Sequence, residues 1–133
     1  MSGLYANART LFLTSGLNWN TGTFGALLAT GGYIPNLASD QHVSDIPPVA
    51  ILARQPLSSL SAASNGAAQA SNATFPAVAG APILYIVIYQ NTGTDATSAL
   101  VCEIDTAAGL PAFPSGTPVT VIWDTGPYKI FLL

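Results

Sequence analysis

A chain of 133 residues, half of them hydrophobic, is long enough for one domain with a substantial core and too apolar for disorder. Only 7% of its residues are charged, against roughly 25% in an ordinary soluble domain, and the net charge is −3. Three cations (Arg9, Arg54 and Lys129) are too few to neutralise a useful run of phosphates, which excludes nucleic acid as a partner. No apolar run reaches the length of a membrane span.

In chain order, Leu4, Ala8, Leu11 and Phe12 fall at i, i+4, i+7 and i+8, one face of a short helix. Ser2 serves as its N-cap and Gly16 as its stop. Thr14-Ser15-Gly16 cuts Leu11-Phe12-Leu13 off before a signal-peptide core is complete, so synthesis in a cytoplasm without export is expected. Thr23–Ala29 reads as a buried strand in which Gly25 marks a bulge or a close backbone approach. From Thr30 to Pro48 the pattern breaks at Gly31-Gly32, Pro35 and Pro47-Pro48, with room for one helical turn near Ser39–Ser44 capped by Ser39. A loop of this length in a compact domain is commonly functional, and it reads as a lateral arm that touches neighbours. Tyr33, Ile34, Leu37 and Ile46 have no core strand to join, which makes them the expected partner contacts. On this reading the arm can be truncated without unfolding the domain.

Val49–Arg54 is the next strand, ended by Pro56, and Ser58–Asn65 is a connection. Ala67–Phe75 alternates weakly, and Pro76 confines it to an edge. Ile83–Tyr89 is apolar on both faces and belongs in the middle of a packed sheet. Leu100–Asp105, Val119–Trp123 and Tyr128–Leu132 complete about seven strands, bounded by Gly, Pro, Asn and Asp. Many short strands after one helix predict a mainly β chain: an antiparallel β-sandwich or small, jelly-roll-like barrel, one domain over 1–133 with one short N-terminal helix.

Few constellations bear chemistry. Val121-Ile122-Trp123 before Asp124-Thr125-Gly126 matches the nucleophile motif of aspartic proteases, but only nine residues follow Asp124, too few for that barrel. His42 with Asp40 and Asp45 is the one His/carboxylate cluster, short of the ligands a metal site wants; turn capping by the aspartates accounts for it. Asp95, Glu103 and Asp105 lie near one hairpin without the carboxylate spacing of a Ca²⁺ loop. The lone Cys102 excludes an internal disulfide and reads as a small buried hydrophobe. No phosphate-cradle motif occurs, and Asn72-Ala73-Thr74 is a glycosylation acceptor in form only. Trp19, Trp123 and the tyrosines could form a sugar platform, although aromatics at strand spacing are more often core. No enzyme activity, cofactor or metal is expected.

Ile88-Tyr89, Thr92–Leu100, Ile104–Pro111 and Val121–Phe131, with Leu17-Asn18-Trp19 and Ser44–Pro47, resemble a family of small structural proteins of tailed bacteriophages. The likeness covers most of the chain and rests on turn and strand residues. It implies a virion component: a capsid decoration (cement) protein on the capsid surface that binds the major capsid protein and itself as a trimer or dimer. The alternative it leaves is a tail or head–tail protein. The scarcity of charge and the Ala/Ser-rich Ser58–Ala79 depart from the family pattern.

Overall fold

A computed structural model describes residues 3–126 and 129–133. Its largest element is a five-stranded antiparallel sheet in the order β1-β8-β7-β2-β3, built from β1 (Gly3–Leu4), β2 (Phe24–Thr30), β3 (Ile51–Pro56), β7 (Ile83–Gln90) and β8 (Leu100–Ile104). The doubly apolar run Ile83–Tyr89 sits at the centre, as its composition predicts, with a neighbour on each side and layers on both faces. β4 (Ser61–Ala62) and β5 (Ala68–Gln69) form a small hairpin. β6 (Ala73–Ala79) and β9 (Ser115–Val121) pair as a two-stranded ribbon. The fold is mainly β with a short N-terminal helix, and the described residues form nine strands where about seven were expected.

The helix, α1 (Ala6–Leu13), begins with Tyr5 at the cap position and no side-chain cap; Ser2 lies outside the described residues. It ends where Ser15 takes a left-handed φ of 66° and Gly16 N–H donates to Leu11 C=O at 2.7 Å. A Cβ on Gly16 would stand 2.7 Å from a Leu11 methyl, which would have to shift to admit it. Ala8 is buried, and Leu11 and Phe12 pack against the core, so α1 covers its own sheet.

Gly25 is a close approach and not a bulge. A Cβ on it would stand 2.9 Å from the Tyr89 ring, while the register shifts of β2 fall at Leu28/Ala29 and Ala29/Thr30. Pro76 does mark an edge: β6 has no strand partner but β9 among the described residues, and its register breaks between Phe75 and Val78, where Ala77 takes a φ of 50°. The expected strand Tyr128–Leu132 is not formed as such. Tyr128 lies outside the described residues, and Ile130 and Phe131 exchange backbone bonds with Ala68, leaving a single bridge from Leu132 to Ala67. These bonds pair the chain end with β5 of the small hairpin.

The register divides the large sheet into two faces. Leu28, Ile86 and Ile104 align across β2, β7 and β8, and point to the same side as Ala26, Ile88 and Cys102. The β6–β9 ribbon covers this side, together with a cluster in which the Trp19 ring lies 4.7 Å from Phe24 and 5.2 Å from Phe131. Leu27, Val87 and Glu103 align on the opposite side, with Tyr85 and Tyr89. Residues 31–48 cross that side, so the segment expected as a lateral arm is a covering layer. Tyr33, Val43 and Ile46 are 2%, 0% and 1% exposed, all within the core. Its one helical turn is 3₁₀, Val43–Asp45, and Asp45 rather than Ser39 bonds its N-terminal amides.

Candidate functional site

Of the four expected partner contacts, only Ile34 stands in solvent, at 83% exposure. Leu37 is half-buried against the core. Tyr33 and Ile46 belong to the core, and the ground for naming them is corrected: they lack a core strand but reach the sheet from irregular backbone. Aperiodic segments hide burial from pattern reading, because neither a period of two nor one of 3.6 applies to them. It follows that deleting residues 31–48 would strip the sheet's second face.

Tyr33 explains why that segment holds. Its hydroxyl lies 2.7 Å from the Tyr5 hydroxyl and donates to Asp40 Oδ2 at 2.9 Å. Asp40 also accepts from Asn36 N–H, which closes the turn. Burial is the main cause that raises the pKa of both tyrosines above the ordinary phenol value, so both stay protonated donors. Asp45 accepts from Gln41 N–H and His42 N–H, and these bonds hold its carboxyl below the usual range. Both aspartates therefore cap turns, and His42 is half-buried beside them. No group of three or more His, Cys, Asp or Glu among the described residues is placed to hold a metal.

The remaining carboxylates are dispersed. Asp95 forms a two-pronged pair with Arg54 at 2.7 and 2.8 Å, and this pair lowers its pKa. Glu103, two residues from Asp105 in sequence, is 1% exposed, and neither of its oxygens has a hydrogen-bond partner among the described residues. Burial pushes its pKa up to about 7. Asp124 accepts from Gly126 N–H in a turn that follows β9. Cys102 is buried, and burial raises its thiol pKa. Trp19 and Trp123 are buried with their indole N–H groups on backbone carbonyls, which removes both from any sugar platform.

What the sequence did not single out is the apolar surface. Leu13, Val49, Phe113 and Ile122 are 88%, 89%, 75% and 72% exposed. Two shallow depressions, about 580 and 380 Å³, share Leu4 and Arg9; Ile34 and Leu37 line the first, Leu13, Leu132 and Leu133 the second. Together they make one apolar surface around α1 with Arg9 as its only cation among the described residues. The signal for Leu13 was present in the sequence: it lies one position past Phe12, outside the helix's inward stripe. No helix of the described residues is long and apolar enough to cross a membrane. No protein-family model matches the chain, and no curated protein matches its sequence.

Proposed function

We propose that the chain is a structural component of a tailed-bacteriophage virion, and within it a capsid decoration protein that binds and stabilises the major capsid protein lattice. The observation that carries this reading is a domain with almost no charge that leaves Leu13, Ile34, Val49 and Phe113 in solvent. Such a surface resists association weakly and is best accounted for by partners. The likeness to small phage structural proteins supplies the kind of partner.

In this role the chain works by mass action. A ligand that spans two capsid subunits stabilises the joined state by its binding free energy. Lattice symmetry multiplies a modest contact over many copies, and self-association as a dimer or trimer adds avidity. The contact surface is the apolar rim of Ile34, Leu37 and Leu13 around Arg9. The reading assigns no catalytic residue, cofactor, nucleic acid or membrane to the chain.

The test is the stoichiometry of the chain against the major capsid protein in purified particles. A ratio near one-to-one, or another large lattice fraction, is expected. A few copies per particle would move it to the tail or head–tail junction, the second reading, which the likeness to phage proteins also supports. Ile34→Asp should release the protein from particles while leaving its melting curve unchanged. A carbohydrate-binding module on the virion surface has the least support, because both tryptophans are buried.

A further inference from the structure

The β6–β9 ribbon is narrower than the sheet it covers, and the gap beside it has the features of a strand-binding groove. Two adjoining depressions of about 400 and 480 Å³ run along β9 and share Ile86, Val121 and Ile122. No β6 residue lines either of them, so the groove lies on the side of β9 away from its only strand partner among the described residues. Ile86 and Ile104 of the large sheet line it, and Ala107 and Ala108 of the following loop line it too.

The backbone of β9 on this side has no partner among the described residues. Trp123 N–H donates to Asn72 on the β6 side, and the hydroxyls of Thr74 and Thr120 meet at 3.1 Å, as in a close, non-hydrogen-bonded cross-strand pair. Alternation then turns the N–H groups of Thr120 and Ile122 to the opposite edge. No loop carbonyl among the described residues accepts from either. Pro118, at the same parity, has no N–H to leave unmet. From Thr106 to Trp123 the sequence carries no charge, so β9 itself holds none of the lysines that usually guard an open strand; Asp124 and Lys129, of opposite sign, line the second depression and not the first.

We infer that this groove accepts an extended, uncharged segment of another polypeptide, which adds as a strand to the free edge of β9. Main-chain bonds to Thr120 and Ile122 hold the segment, and its alternate apolar side chains settle on Ile86 and Ile104. A free arm fits where a folded strand does not. The large sheet extends beneath the groove, so the β9 of a second copy would bring its own large sheet into the same space. The inference stands whether or not the chain is a virion component.

The probe is a synthetic peptide of about eight residues, alternating valine and threonine with a lysine at each end, the length of a typical strand. Saturable binding is expected, with amide exchange at Thr120 and Ile122 slowed at least about tenfold. The same peptide N-methylated throughout should not bind, and Thr120→Pro should abolish binding of the unmodified peptide with the circular dichroism spectrum retained. No binding, or equal binding of the methylated peptide, would overturn the inference. Self-association of the protein alone that Thr120→Pro abolishes would also overturn it, by making a second copy the occupant.

Discussion

The two faces of the five-stranded sheet are covered by different chemistry from the same chain. Under the β6–β9 ribbon the contacts are apolar and aromatic: Phe75, Val78 and Trp123 with Trp19, Phe24 and Phe131. Under residues 31–48 they are partly polar: the Tyr5–Tyr33–Asp40 chain, the Arg54–Asp95 pair and the buried Glu103. Paired strands satisfy the backbone between them and adhere to the sheet through apolar side chains. An irregular segment must find partners for its backbone as well, and its side-chain carboxylates and hydroxyls supply them. The difference predicts that the ribbon face carries most of the stability and the tyrosine face most of the conformational specificity and pH dependence.

The largest effect should come from the ribbon face. Phe75 is fully buried on β6, and Phe75→Ala removes its ring from the core without a polar group to compensate. A loss of about 3–5 kcal/mol is expected, a large share of a small domain's stability. Urea denaturation measures it, and a loss below about 1 kcal/mol would mean that the ribbon adds little to the core.

On the other face, Tyr33→Phe keeps the ring and removes the hydroxyl that joins Tyr5 to Asp40. It should cost about 1–3 kcal/mol, because the Tyr5 hydroxyl is left buried without its partner. Tyr5→Phe with Tyr33→Phe should cost less than the sum of the two single changes, since each removes one end of the same bond. Strict additivity of the two would show that the hydroxyl pair carries no coupling and that shape alone holds the segment.

These faces were unequally legible in the sequence. Ile83–Tyr89 announced a central strand because seven consecutive apolar residues cannot alternate, and Pro76 announced an edge because it cannot donate. The turn-capping roles of Asp40 and Asp45 were also readable, from short polar side chains set near Gly and Pro. Tyr33 and Ile46 were not: with no periodicity around them, nothing local distinguishes a side chain that reaches the core from one that leaves it. Glu103 was hidden differently. In an alternating strand its letter marks the solvent side, and only the covering of that side by residues 31–48 and β1, contacts remote in sequence, buries it. Apart from Ile34, the exposed apolar surface was the least legible of all, because exposure of Val49, Phe113 or Ile122 depends on where every other element stops.

Glu103 gives the tyrosine face its pH dependence. Its folded pKa, about 7, lies above the ordinary value of 4.5, so between these values the native state keeps a proton that the unfolded chain has released. The stabilising contribution is complete below pH 4.5 and is lost as pH rises through 7. After allowance for solvent screening, the loss should be about 1–2 kcal/mol. Glu103→Gln should flatten stability across this window and leave the variant more stable than the parent at pH 8. Parallel curves for the two proteins from pH 4.5 to 8 would show that this carboxyl is already paired in the native state.

The smallest effect should come from the most visible charge pair. Arg54 and Asp95 meet in a two-pronged geometry, yet their side chains are 38% and 47% exposed. Water screens such a pair, and holding two side chains in one geometry offsets much of the attraction. Asp95→Ala should therefore cost about 0.2–1 kcal/mol at low salt and less at 1 M salt, measured by urea denaturation. The sign with pH is opposite to that of Glu103: the depressed Asp95 pKa makes the contribution present above 3.8 and lost as pH falls through the folded value. Arg54 also lies 5.8 Å over the Tyr89 ring, a contact that survives loss of the carboxylate and limits the damage. A cost well above 1 kcal/mol that persists in salt would place real stability in the charges of this face, and the division of labour between the two faces would then fail.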